Sequence, residues 1–280
     1  MEKYVITLGD FLKNAGIVGF HYMLETAGAR ENVDFGHSED DQSLWVSMDF
    51  AQNADWTDMY FKAFIRYFGP FSTYQGIKDK IQTCIEKIEV ENWNPGKQEK
   101  DDLKFINDKL QSNSYQAGFA NIQKKIENPE IYEKLKKNKL SDKLSAEELK
   151  NRLEELLEFI NQPECSETFA MKSIIYTYIN RFWNGKCFLL RPNAKKDMRE
   201  VFEKDFSEPF RKYLSADHKK SKDLCIDCGD PIGPKEKVSI AFMNEVGDDF
   251  TRKRSAFWDC KVDAFLCPAC AFIYALSPLG

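Results

Sequence analysis

A chain of 280 residues with 42% hydrophobic and 14% aromatic content, 22 of those residues Phe, can bury a full core, which excludes a disordered tail or a peptide-sized adaptor despite 30% charge. The net charge of −5 excludes long-range attraction of the whole molecule to nucleic acid, so any such contact must come from a local patch or from partners. The longest apolar run, residues 264–276, falls short of the roughly 20 residues of a membrane span. Residues 1–12 carry Glu2 and Asp10 where a signal peptide needs an apolar stretch, so a soluble, cytoplasmic protein without a membrane partner is expected.

Residues 4–8 read as a short strand, and Asp10 as the cap of a following helix that carries Phe11, Leu12, Ala15, Ile17, Val18, Phe20, Met23 and Leu24. So many apolar positions place that helix in the core. Gly9, Gly16 and Gly19 interrupt it and permit close backbone approach. No Gly-Lys-Ser/Thr follows them, so there is no phosphate-binding loop, and His21 reads as a core histidine rather than a base. Residues 32–42 are polar and read as a loop. Leu44, Val46, Met48 and Phe50 then alternate with Trp45, Ser47 and Asp49 as a half-buried strand, Trp45 on its second face. Residues 55–68 turn helical and aromatic, and Gly69-Pro70 stops them.

From about 75 to 162 the chain is charged and helical, broken at Asn94-Pro95-Gly96 and Asn128-Pro129. Ser145 and Glu148 fit a capping box for a helix with Leu149, Leu153, Leu156, Leu157 and Ile160 on one side. Lysines 134, 136, 137, 139 and 143 form a basic run flanked by acids, the pattern of a solvated face, with contact to nucleic-acid phosphates as the alternative. Residues 163–166 break the chain again. A buried helix through Phe169, Ile175 and Phe182 follows, then a turn at 183–185 and a short strand at 187–190. Residues 195–214 read as one helix with Met198, Val201, Phe202 and Phe206 inward.

The last third carries the chemistry. Cys225-Ile226-Asp227-Cys228-Gly229 is answered by Cys267-Pro268-Ala269-Cys270, and two cysteines separated by two residues let a tight knuckle present both sulfurs to one ion. Two such pairs complete the tetrahedral shell of a structural zinc. Gly229 suits the positive φ of a knuckle, and Pro268 stiffens the other one. The 38 residues between the pairs exceed the roughly 15 to 20 of the commonest spacing, so they need structure of their own. Residues 237–243 read as a strand, 244–249 as a turn and 252–258 as a return strand. Cys260, seven residues before Cys267, is the alternative fourth ligand. Disulfides do not suit a chain without a signal peptide, a redox pair lacks a thioredoxin-like surround, and the deaminase signature is missing because Pro268 lies inside the pair. The expected fold class is α+β, mainly helical with a few short strands and a four-cysteine zinc-ribbon-like module. It divides into a mixed domain over 1–215, with the helical insert, and the module with a following helix over 216–280.

The stretch Asn14-Ala15-Gly16-Ile17-Val18-Gly19-Phe20 with its preceding Gly9-Asp10, the Tyr178-Ile179-Asn180 segment and the cysteine module together resemble the amino-terminal half of the large subunit of type I-B CRISPR Cascade complexes. Members of that family continue into a helical carboxy-terminal part, so this chain is expected to correspond to a portion of such a subunit. The resemblance implies a non-enzymatic protein in antiviral defence that contributes to crRNA binding, reads the short PAM duplex beside the target and stabilises the opening R-loop. Its partners would be the other Cascade subunits, the crRNA, the target DNA near the PAM, and a recruited helicase-nuclease that does the cutting. Cys225, Cys228, Cys267 and Cys270 carry over as ligands of one structural zinc per chain. Lys13 and Asn14 are nucleic-acid-binding candidates, as donors within the matched stretch. The rival reading is a zinc-stabilised protein-interaction scaffold unrelated to CRISPR. A hydrolase lacks support, since there is no G-x-S-x-G elbow, no H-E-x-x-H helix and only three scattered His.

Overall fold

The computed structural model describes residues 2–90, 93–182, 193, 195–218, 221–243 and 265–280. The chain divides into two compact units, the first comprising Met1–Phe64, Tyr178–Asn193 and Met198–Gly280, the second Ile65–Thr177 and Ala194–Asp197. The described elements are mainly helical with a few short strands, in agreement with the expected class.

In the first unit β1 (Lys3–Thr7) leads through Asp10 into α1 (Phe11–Thr26); β2 (Phe35–His37) and β3 (Ser43–Ser47) follow, then α2 (Met48–Asn53). The strands form an antiparallel sheet in the order β1-β3-β2, with Tyr4 opposite Val46 and Phe35 opposite the same residue on the other side. The stretch read as a loop over 32–42 therefore contains a strand. Polar composition hid it: Gly36 leaves room for the Trp45 ring, which a Cβ there would meet at 2.6 Å. Trp45 does occupy the second face, its indole N–H donating to the His37 carbonyl and Lys3 Nζ lying 3.5 Å from the ring centroid. The strand ends earlier than its alternation suggests, because the Ser47 hydroxyl accepts from the Phe50 N–H and caps α2, so Met48 and Phe50 are helical.

Helix α3 (Trp56–Phe68) supplies Trp56 to an aromatic core with Phe20, Phe210 and Phe272, the last two stacked at 4.8 Å. Burial of α1 is one-sided, since Phe20, Met23 and Leu24 are inside while Phe11 and Val18 face solvent. Its glycines act as anticipated: a Cβ on Gly16 would lie 2.3 Å from the Ile273 carbonyl oxygen, and one on Gly19 equally close to that of Leu276.

The second unit takes up α3 from Ile65 and continues with α4 (Thr73–Val90), α5 (Lys97–Leu110), α6 (Asn113–Ile122), α7 (Glu130–Lys137), α8 (Ala146–Asn161) and α9 (Pro163–Ile174). Its core joins Ile77, Ile81, Leu103, Ile106, Leu149, Leu153, Phe159 and Phe169, the period-3.6 positions of successive helices. Ser145 caps α8 by accepting from the Glu148 N–H (3.2 Å), whereas the Glu148 carboxylate turns to Arg152. The expected break falls at Gln162, whose ψ is 141°, and Pro163 starts α9, since at the first helical position its missing N–H costs nothing. Of the lysine run, Lys134, Lys137 and Lys139 are exposed and Lys136 pairs with Glu133 at 3.2 Å.

A π-helical turn, Ile175–Ile179, leads to α10 (Asn180–Phe182). The helix expected over 195–214 begins at Met198 and comes in pieces: α11 (Met198–Phe202), a π-helical turn Glu203–Ser207, and α12 (Glu208–Ser215). Pro209 explains the interruption, because its ring cannot sit over the preceding turn of a regular α-helix. Met198, Phe202 and Phe206 are buried as anticipated, and Val201 only half so. Then come β4 (Asp223–Leu224), β5 (Pro231–Ile232), β6 (Val238–Ser239), β7 (Phe265–Leu266) and α13 (Pro268–Ala275). The strand read over 237–243 shortens to β6 and a 3-10 turn, Ile240–Phe242. The turn at 183–185, the strand at 187–190, the turn at 244–249, the return strand at 252–258 and Cys260 lie outside the described residues.

Candidate metal centre

Strands β4 and β5 pair antiparallel, Leu224 opposite Pro231, and the first knuckle is their turn. Cys225 N–H donates to the Asp230 carbonyl (2.8 Å) and Gly229 N–H to the Cys225 carbonyl (3.0 Å). Gly229 adopts φ of 75°, the conformation for which a glycine is needed. The second knuckle opens a helix: Cys267 is the N-cap of α13, Pro268 its first residue, and the Cys270 N–H points at the Cys267 sulfur (3.3 Å). Across the two, Cys267 N–H approaches Cys225 Sγ at 3.2 Å, and Ile226 N–H donates to the Phe265 carbonyl at 2.9 Å.

These links gather the Sγ atoms of Cys225, Cys228, Cys267 and Cys270 within 4.8 Å of one another, three of the residues buried and Cys228 half-buried. Cys228 Sγ and Cys267 Sγ are 3.8 Å apart. A disulfide needs about 2.05 Å, whereas a tetrahedron with metal–sulfur bonds of about 2.3 Å has edges of about 3.8 Å. The donor set therefore fits one thiophilic ion. Without a cation the sulfurs compete for protons: hydrogen bonding from Cys228 pulls Cys225 down, while contact with Cys225 pushes both Cys228 and Cys270 up. A divalent cation resolves that conflict by letting all four ionise. Cys84 and Cys165, in the second unit, stand in contrast. Burial pushes their thiols up to about 11 and about 12, as expected of packing residues.

Lys13 and Asn14 are placed beside this module and engaged within the protein. Lys13, 2% exposed, reaches Asp227, the third residue of the first knuckle, with Nζ 2.9 Å from Oδ2. Burial works against its charge, but the adjacent Asp227 carboxylate outweighs this and leaves the ammonium's pKa raised. Asn14 folds back on Gly9, accepting its N–H (2.8 Å) and donating to its carbonyl (3.1 Å). Both side chains fix the entrance to α1. Asp10 accepts from the Lys13 N–H at 2.9 Å and from the Tyr274 hydroxyl, so cap, knuckle and α13 are tied at one place. Tyr4 and Tyr213 complete the surroundings, their hydroxyls pushed up first by burial and then by the nearby sulfur of Cys267. His21 is half-buried, 3.6 Å from Glu25 and edge-on to Phe35, rather than fully in the core. No motif in the sequence points to Asp227, Tyr4, Tyr213 or Tyr274. The one available hint was an acid inside a CxxC pair, with nothing to say which cation answers it.

Fold and site together define a helical protein with a paired-knuckle cysteine module. Residues 218–280, which contain that module, match the family model described as CRISPR-associated protein (Cas_CXXC_CXXC), and this supports a CRISPR role. Searches of curated proteins and of solved structures found no match.

Proposed function

We propose that the chain is a non-catalytic large subunit of a type I-B RNA-guided surveillance complex, working in the cytoplasm in crRNA binding, PAM recognition and R-loop stabilisation. The observation that carries this reading is the CRISPR-associated match over the module that holds the four sulfurs. Zinc is the ion that four thiolates in a closed shell favour, and Cys225, Cys228, Cys267 and Cys270 are its ligands; the bound ion would supply folding free energy rather than chemistry. Leu224 and Ile226, each 61% exposed beside Cys225, offer apolar surface to a neighbouring subunit. No helix among the described residues is long and apolar enough to cross a membrane. We assign Lys13 and Asn14 to positioning the module, since Asp227 and Gly9 already engage them.

Co-expression with the other subunits of such a complex and a crRNA tests the reading. The chain should co-elute with them, carry one zinc, lack nuclease and ATPase activity of its own, and confer discrimination between targets with and without the PAM. A folded, metal-loaded chain that stays outside the assembled complex would refute it.

A further inference from the structure

In the second unit an open cleft of about 570 Å³ lies where the end of α3, the 3-10 turn Gly69–Phe71 and the first turns of α4 and α9 meet. Ile65, Pro70 and Ala170 give it apolar walls, and Arg66, Gln75, Lys78 and Ser166 its polar lining. No Asp or Glu is among the described residues that line it. Two other clefts show how unusual that is. The one beside Arg199 and Arg211 in the first unit also contains Asp55, Glu200 and Glu203, and Arg211 is paired with Glu203. The one between α7 and α8 sets Lys134 and Arg152 against Glu155, with Arg152 already 2.6 Å from Glu148. In the third cleft neither Arg66 nor Lys78 has a carboxylate partner among the described residues.

One of the two cations lies near an anchored ring. Lys78 Nζ lies 5.6 Å from the centroid of the Tyr74 ring, whose hydroxyl donates to the Ile160 carbonyl at 2.7 Å. Asp79 takes the Gln75 amide at 2.8 Å and stands outside the lining. Residues from the first turns of two helices, α4 and α9, add the positive ends of two backbone dipoles. Phe71, the residue after Pro70, leaves 75% of its surface exposed and adds apolar area next to the cleft.

We propose that this cleft binds the phosphodiester backbone of a single nucleic-acid strand, with Arg66 and Lys78 each neutralising one phosphate. That it takes phosphate follows from its own charge; that the phosphate belongs to nucleic acid rests on the CRISPR reading above. An open cleft with uncompensated cations and no enclosing wall suits a continuous strand better than a small ligand.

The test is binding of a fluorescent 20-nucleotide single strand to the full chain alone across a salt series. Arg66→Gln/Lys78→Gln should lower the slope of log affinity against log salt by about 1.4, at about 0.7 per phosphate, and weaken binding at low salt by at least about tenfold. Arg66→Lys should keep the slope, and so should Lys124→Gln/Lys125→Gln, which removes the same charge from an exposed site elsewhere in the unit. Equal melting temperatures would show that all variants fold. An unchanged slope in the cleft variant, an equal fall in the Lys124/Lys125 control, or no measurable wild-type binding at low salt would each overturn the proposal. Competition by inorganic phosphate at the oligonucleotide's own phosphate concentration would make this a small-anion site and overturn the nucleic-acid assignment. If the wild-type chain fails to enter the effector complex, the CRISPR reading falls, and the salt slope still decides the cleft.

Discussion

Among the described residues each unit buries one lysine, and the two are treated in opposite ways. Lys13 in the first unit meets a carboxylate at 2.9 Å and keeps its proton more tightly than a free lysine. Lys172 in the second unit, 3% exposed and packed over Gly118, has its pKa lowered by burial to about 8, with the charge of Asp197 opposing the shift only in part. The difference reflects what each unit is built from. The first depends on polar and metal-ligating groups that converge from distant parts of the chain, so a buried charge finds a partner. The second is a stack of amphipathic helices whose interior is largely aliphatic and aromatic, so at Lys172 burial outweighs the charge of Asp197 that opposes it.

The largest effect should come from the metal. Cys228→Ser removes one of the four clustered sulfurs, and because binding of the proposed zinc would contribute folding free energy, loss of the metal and of several kcal/mol of local stability is expected. Hydrogen exchange should show residues 1–64 and 198–280 losing protection while 65–177 keep theirs; equal loss in both would erase the contrast drawn here. Next, Lys13→Met strands the buried Asp227 and should cost about 3–5 kcal/mol by denaturant titration, most of it regained in Lys13→Met/Asp227→Asn. Failure of the double variant to recover would mean that Lys13 supports more than that one acid.

Lys172 gives a prediction of the other sign. Its folded pKa of about 8 lies below the ordinary 10.5, so between these values the unfolded chain holds a proton that the folded one has released, and stability rises with pH across that window. The full span is worth roughly 3 kcal/mol. Lys172→Met should raise the stability of the second unit at pH 7 and flatten its rise between pH 8 and 10, read by exchange in residues 65–177. Lys13, with a raised value, contributes fully below the lysine range and weakens only as pH climbs through that raised value, so the first unit should show no such rise. The smallest effect should be Gly16→Ala. It improves helix propensity by about 1 kcal/mol, yet its Cβ meets the Ile273 carbonyl, so a net loss of about 1–3 kcal/mol is expected from thermal melts.

What could be read from the chain alone was whatever is decided locally. Asp10, Ser145, Gly69-Pro70 and Gly229 act within a turn or two of their own positions, and all four appear where expected. The cysteine pairs were legible for the same reason, since each knuckle is four residues long. Met48 and Phe50 misled because a period of two persists across a strand–helix junction when a serine cap intervenes. Strand β2 was hidden because its glycine is there for a cross-strand indole. The fate of Lys13 was out of reach, because its partner is Asp227 and nothing local distinguishes a surface lysine from one that a remote knuckle will enclose. In the second unit the helical character of 75–162 and the periodic face of the helix after Ser145 were legible, whereas the separate helices before it and the unpaired charges of the cleft were not, since pairing is a property of three dimensions.

The close approach of α1 to the segment around Ile273 and Leu276 also sets the order in which the protein can be made. The hydrogen bond between Asp10 and Tyr274 spans 264 residues, so during synthesis the notch at Gly16 and Gly19 stands open while everything between is translated. Residues 65–177 can collapse on the ribosome from their own helices, but α1 must wait with Phe20, Met23 and Leu24 uncovered, a state that invites chaperones or aggregation. Both knuckles must also have emerged before one ion can bridge them. Capture of the proposed zinc would therefore come only after Cys270 has emerged, and in a zinc-starved cell the yield of this protein should fall before its activity does.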